Sequence, residues 1–195
     1  MELETKNFYR FLAPRTTVII TSVSRENKVN ASAVSFVMPV SMDPPLLAVS
    51  LSRKVDMETL KSTREFVVNV PTEEVLDKVW TLSKTKTSSP EMNEIDKAGF
   101  AMMSSAKVLA PSIADCIAWF ECLAEYSKEM GDHILVVGSV VHVTVRDDFI
   151  GKDGNLDLEK AKVLMHIGGS KFVLPGREIN MKEKEGGEAK KDESI

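Results

Sequence analysis

The sequence predicts a mainly β protein with peripheral helices, folded as a closed antiparallel barrel of six or more strands. Three observations carry this prediction: six or more extended apolar runs, their pairing into hairpins, and only two or three short helical patterns between them. A doubly wound parallel sheet is excluded, because strands and helices do not alternate regularly.

Residues 17–23, TVIITSV, are β-branched and apolar, and SRENK then reads as a turn into a second extended stretch, residues 29–38. Asp43-Pro44-Pro45 punctuates the chain before a third strand, LLAVSLS, which ends at the basic pair Arg53-Lys54. From Asp56 to Arg64 the pattern is helical, with Met57 and Leu60 on one side and Asp56 as the N-cap. EFVVNV, residues 65–70, is the next strand. Pro71-Thr72 opens a second helix whose face is predicted as Val75, Leu76, Val79, Trp80 and Ser83.

Residues 84–99 are polar, contain Pro90 and Gly99, and are expected to form an excursion with little core of its own. Residues 116–126 and 133–145 are long extended runs separated by SKEMGD, a further hairpin. Residues 156–164 read as a short helix and HIGGSKFVLPG as a closing segment that crosses to another element or subunit. The expected organisation is one domain over residues 1–177, followed by a polar, disordered tail at 178–195.

Composition narrows the function. The chain has 195 residues, 43% of them hydrophobic, as in an ordinary globular protein. No apolar run is long enough to span a membrane, and MELETKNFYRF carries acidic residues where a signal peptide is basic. A cytoplasmic protein without membrane contact is expected. The net charge of −4 comes from mixed charges, so nucleic acid is not an expected partner.

Cys116 and Cys122 read as residues on one strand, facing the same side too far apart for a disulfide, hence as free buried thiols. Neither G-x-x-x-x-G-K-[ST] nor G-x-G-x-x-G is present. Asp153, Asn155 and Asp157 begin like a calcium loop, but Leu158 and Leu164 stand where glycine and glutamate belong, so the segment reads as a turn. His133, His142 and His166 are too scattered to spell a metal site, and no G-x-S-x-G elbow is present.

The informative stretch is residues 30–54. Ala31, Ser32, Ala33 and Ser35 are small enough to let a planar ligand approach backbone N–H and C=O groups. Ser50, Ser52, Arg53 and Lys54 place hydroxyls and cations just before a helix start, which makes an anion site. The competing reading is that the serines satisfy barrel edges and the basic pair is a solvated turn.

Several blocks add a resemblance: N-A-S-A-x-S-F-x-M-P-V-S-x-D-P-P, then S-R-K, R-E-F-V-V-N-V-P, G-D-H-x-L-x-x-G-x-V and H-I-G-G-x-K-F-V. In this order and spacing they resemble the flavin reductase-like family of FMN-binding split-barrel proteins, especially archaeal members related to flavoredoxin and ferric reductase. The resemblance spans residues 8 to about 177. It implies a six-stranded antiparallel split barrel with Greek-key topology, with FMN held non-covalently at the interface of a homodimer. Ser32, Ala33, Val34, Ser35 and Phe36 would then lie on the ring side, and Ser50, Leu51, Ser52, Arg53 and Lys54 on the ribityl-phosphate side. Relatives usually have threonine where this chain has Asp56, a carboxylate that repels phosphate unless it turns away as a cap or Arg53 and Lys54 offset it.

His133 resembles the family histidine at the flavin's reactive face, where it would orient nicotinamide or steady charge, with a backbone-bonded strand start as the alternative. His166, beside Gly168 and Gly169, would approach the flavin from the closing segment or from the partner subunit, and simple packing is the alternative. Trp80 reads as core filling, with packing near the ring as the other option. The implied activity is hydride transfer from NAD(P)H through FMN to free flavin, ferric chelate or a protein acceptor. The alternatives are a flavoredoxin-like carrier reduced by a redox partner protein, and a non-catalytic flavin-binding module.

Overall fold

The computed structural model describes residues 2–53, 57–84 and 94–179. The strands are β1 (Arg15–Thr16), β2 (Val18–Val23), β3 (Val29–Val34), β4 (Val37–Met42), β5 (Pro45–Ser52), β6 (Glu65–Val70), β7 (Met102–Met103), β8 (Ser112–Ile113), β9 (Ala118–Met130), β10 (His133–Val145), β11 (Met165–Gly168) and β12 (Lys171–Val173). The helices are α1 (Glu58–Thr63), α2 (Leu76–Lys84), α3 (Glu94–Ala98) and α4 (Leu158–Ala161), with 3-10 turns at Thr5–Phe11, Glu73–Val75 and Asp147–Phe149.

Seven strands form the main sheet in the order β3-β2-β6-β9-β10-β5-β4, and every pairing in it is antiparallel. All six predicted runs contribute. The seventh strand arises because the run 29–38 breaks: Ser35-Phe36 carries the chain from β3, at one edge of the sheet, to β4, at the other. The sheet therefore curls until β3 approaches β5, giving a mainly β split barrel whose opening lies between those two strands.

The unbroken apolar character of TVIITSV and EFVVNV follows from burial on both faces. Val18, Ile20, Phe66, Val68 and Val70 turn into the barrel with Leu51, Cys122 and Val136. Ile19 and Val67 turn outward beneath α2 and α3, against Val79, Leu82, Ile95 and Trp119.

Some local expectations change. On α2 the buried side chains beside Val75 are Val79 and Leu82, while Ser83 is exposed, because positions i, i+4 and i+7 share the face that meets the sheet. Residues 94–98 do bring core: Ile95 is fully buried and Ala98 nearly so. The remainder of that polar stretch, 85–93, lies outside the described residues. Met57 holds the N-cap position of α1 without a side-chain cap bond, and Asp56, the expected cap, is likewise outside them.

Cys116 does not share a strand with Cys122. Its N–H closes a turn on the Ile113 carbonyl at 3.1 Å, so β9 begins only at Ala118 and the two thiols enter different core clusters. Both are free and buried. Burial, reinforced by the neighbouring Glu121 carboxylate, pushes the Cys122 thiol up to about 12, and burial with Asp115 raises that of Cys116.

The β9–β10 hairpin is longer than SKEMGD implied. Pairing continues to Met130 and His133, and the chain reverses at Gly131-Asp132, with Gly131 at φ +64°. The closing segment forms the β11–β12 hairpin and returns to the chain's own N-terminal strand, with Arg15 opposite His166. Asp153 accepts hydrogen bonds from Asn155 N and Nδ2 at 3.1 and 2.8 Å, which makes a turn, and Asp157 caps α4. No helix among the described residues is long and apolar enough to cross a membrane.

Candidate functional site

Three segments distant in sequence meet at one end of the main sheet. The Ser50 N–H donates to the Phe36 carbonyl at 2.8 Å, tying the β3–β4 break to β5. His133 lies opposite Ser52 in the β10–β5 ladder, and the Arg53 N–H donates to the Asp132 carbonyl at 3.1 Å. The Phe36 and His133 rings face each other at 5.4 Å between centroids, tilted by 32°. Ser35, Phe36, Ser50, Ser52, Arg53 and His133 are thus drawn together.

His133 is bonded to a side chain: Nδ1 pairs with Asp132 Oδ1 at 2.7 Å. That hydrogen bond, with the histidine's charge, holds the Asp132 carboxyl below the usual aspartate range. The Arg53 guanidinium forms an ion pair with Glu129 that stays open to solvent. Lys54 lies outside the described residues.

β3 and the break that follows it border two hollows. Ser32, with Asn30, borders a narrow hollow closed by Ser22, Leu51, Met57 and Leu60, in the gap between β3 and β5. Ala33, Val34 and Ser35 border a different hollow with Thr17, Trp80 and His166. Leu51 and Val34 belong to the barrel core, so their share in any ligand contact falls chiefly to backbone.

His166 comes from the chain's own closing hairpin. Its Nε2 lies 3.1 Å from the Gly169 carbonyl and its Nδ1 3.2 Å from Ser35 Oγ. A carbonyl only accepts, so in the neutral ring Nε2 carries the hydrogen and the Ser35 hydroxyl donates to Nδ1. The histidine therefore holds the hydroxyl of Ser35. Trp80 is half-buried and packs edge-on against Phe172, lining the same hollow as Ser35 and His166.

The N-terminal turn is an addition that the sequence reading did not make. Phe8, Tyr9 and Arg15 join Phe36, Ser50 and Leu135 around a hollow of about 320 Å³. The Arg15 guanidinium stands 5.9 Å from the Tyr9 ring centroid and 5.4 Å from that of Phe36, and its Nη1 donates to the Tyr9 carbonyl at 2.5 Å. The aromatic run NFYRF is the one signal that pointed there. The assembled end combines hydroxyls, exposed backbone, two arginines and stacked rings. It suits a planar anionic ligand better than acid–base hydrolysis.

Known proteins match this architecture. The family model of the flavin reductase like domain covers residues 9–170. An uncharacterised protein of Archaeoglobus fulgidus is 38% identical over 170 residues, spanning 85% of this chain and 90% of its own length. Flavoredoxin from Methanosarcina acetivorans is similar in structure at a TM-score of 0.80 and 18% identity, covering 95% of this chain and 96% of its own. An FMN-binding protein from Thermus thermophilus reaches 0.77 at 23% identity, covering 93% and 97%. At such identities the structures show a common fold. The family match, which runs from the N-terminal turn through β11, shows that this chain belongs to the flavin reductase-like domain family.

Proposed function

We propose that the chain is an FMN-binding oxidoreductase that takes hydride from NAD(P)H and passes electrons through FMN to free flavin, a ferric chelate or a protein acceptor. The observation that carries this reading is the meeting of the β3–β4 break, the end of β5 and the Asp132-His133 tip in one place. The similarity in fold to flavoredoxin and to an FMN-binding protein supports it.

The residues fit the cofactor. Small side chains at Ser32, Ala33 and Ser35 leave the backbone open to a flat ring, and Phe36 offers an aromatic surface beside His133. Ser50, Ser52, Arg53 and Lys54, with the backbone of Leu51, would hold the ribityl chain and phosphate. The solvent-exposed Arg53–Glu129 pair costs little to exchange for a phosphate contact. When bound, FMN supplies a two-electron acceptor that the side chains here do not provide. His133, fixed by Asp132, would orient nicotinamide, while His166 keeps the Ser35 hydroxyl in position.

A homodimer with FMN at the interface is part of the proposal. Leu123, Tyr126, Val141 and Val143 are exposed on β9 and β10, apolar surface suited to a second copy. Sedimentation of the FMN-loaded chain as a monomer would remove this element.

The test of the activity is an anaerobic absorbance spectrum of the FMN-loaded chain before and after NADH, then NADPH. Prompt bleaching of the flavin bands by either nucleotide is expected. Bands that bleach only with a reduced redox protein would replace the reductase with a carrier.

A further inference from the structure

A hollow of about 280 Å³ lies between α1 and the irregular stretch of β9 and β10. None of the residues proposed for FMN lines it. The strand pairing jumps from Val137 opposite Tyr126 to Gly138 opposite Ala124, so Glu125 is the extra residue of a bulge. Met57, Leu60, Ala124 and Val136 give the hollow an apolar wall.

Arg64, at the end of α1, is fixed against this bulge with donors to spare. Its backbone stands at φ +61°, its N–H donates to the Leu60 carbonyl at 2.8 Å, and its carbonyl accepts from the Ala124 N–H at 2.8 Å. Nε and Nη2 donate to the Ala124 carbonyl at 3.0 and 2.6 Å, and Nη2 also donates to the Glu125 carbonyl at 3.1 Å. These bonds hold the guanidinium still and leave the N–H groups of Nη1 without a partner among the described residues. Lys61, on the same helix, is exposed, borders the hollow, and has no ion pair among the described residues. Tying the bulge to α1 requires Arg64 alone and accounts for neither the lysine nor the open volume. Glu125 also borders the hollow, and its Oε1 accepts from the Ser139 hydroxyl at 2.6 Å. Its charge disfavours a dianion there.

We infer that this hollow binds a monocarboxylate with an aliphatic body of about six to eight carbons, since its volume is about twice the roughly 150 Å³ that takes a benzene ring. The carboxylate accepts from Arg64 Nη1 and pairs with Lys61, while the chain lies against Met57, Leu60 and Val136. Binding does not depend on FMN, because Met57 and Leu60, both buried, stand between this hollow and the one at Ser32.

The test is isothermal titration calorimetry of the full chain, with and without FMN, using octanoate, octan-1-ol and acetate. Saturable binding of octanoate is expected, about tenfold or more tighter than octan-1-ol, which lacks the charge, and than acetate, which lacks the apolar body. Lys61→Gln leaves the Arg64 bonds in place and should weaken octanoate about threefold without changing octan-1-ol. The proposal is overturned by non-saturable binding, by octan-1-ol binding as tightly as octanoate, by unchanged octanoate affinity in Lys61→Gln, or by displacement of octanoate by FMN. The last result would place octanoate in the flavin site, whereas failure of FMN to bind leaves the octanoate titration readable on its own.

Discussion

Gly138 shows how much a single position can depend on contacts far away in sequence. A Cβ there would lie 2.7 Å from Cε1 and Cζ of Phe66 and 3.1 Å from the Leu123 carbonyl. Phe66 is fully buried and cannot yield, and β10 is already irregular between Val137 and Gly138. Gly138→Ala is therefore expected to cost about 1–3 kcal/mol and to lower the melting temperature by about 3–10 °C in thermal unfolding followed by circular dichroism. Unchanged stability would mean that the ring moves aside. The G-D-H-x-L-x-x-G-x-V block contains this glycine, but nothing in the block names the ring across the sheet. Ser35 and His166 pose the same difficulty: both drew attention as site residues, yet their hydrogen bond joins positions 131 residues apart.

Elements were legible where their pattern was local. The hairpins of β2 with β3 and of β9 with β10 follow from apolar runs and turn residues. The break at Ser35-Phe36 was not legible, because it answers to curvature of the whole sheet and no glycine marks it. The face of α2 shifted for a related reason, since its helix is too short for periodicity alone to fix which residues meet the sheet. A tertiary ion pair also secures α2: Lys78 Nζ contacts Asp115 Oδ1 at 2.6 Å, and the Ala101 N–H donates to Oδ2 at 2.9 Å.

Partial burial acts to raise the Asp115 carboxyl, but the Lys78 hydrogen bond, the Ala101 N–H and the lysine charge outweigh it and hold it below its ordinary value. A folded-state pKa below the unfolded one gives stability that is complete above the ordinary aspartate pKa, about 4, and is lost as pH falls through the folded value. Asp115→Asn should lower the melting temperature by about 1–3 °C at pH 7, and the gap to the parent should close at acid pH. A gap that persists at the lowest pH would assign the effect to packing.

At the scale of the whole molecule, the barrel and both halves of the proposed cofactor cradle were readable as separate blocks, but their meeting was not. Topology brings the β5 end beside the Asp132-His133 tip, and it folds the N-terminal turn and the closing hairpin over the same region. Arg15 lacks any motif that would mark it, and the aromatic run around Tyr9 does not say what it meets, so their place at this end is seen only in three dimensions.

The central claim is that this assembled end holds FMN, and its most direct test is a titration of the chain with FMN, followed by the change in flavin fluorescence and absorbance. One FMN per chain is expected, with affinity reduced about tenfold or more by Arg53→Ala and falling as salt rises. Flavin spectra that stay those of free FMN at every protein concentration would contradict the account.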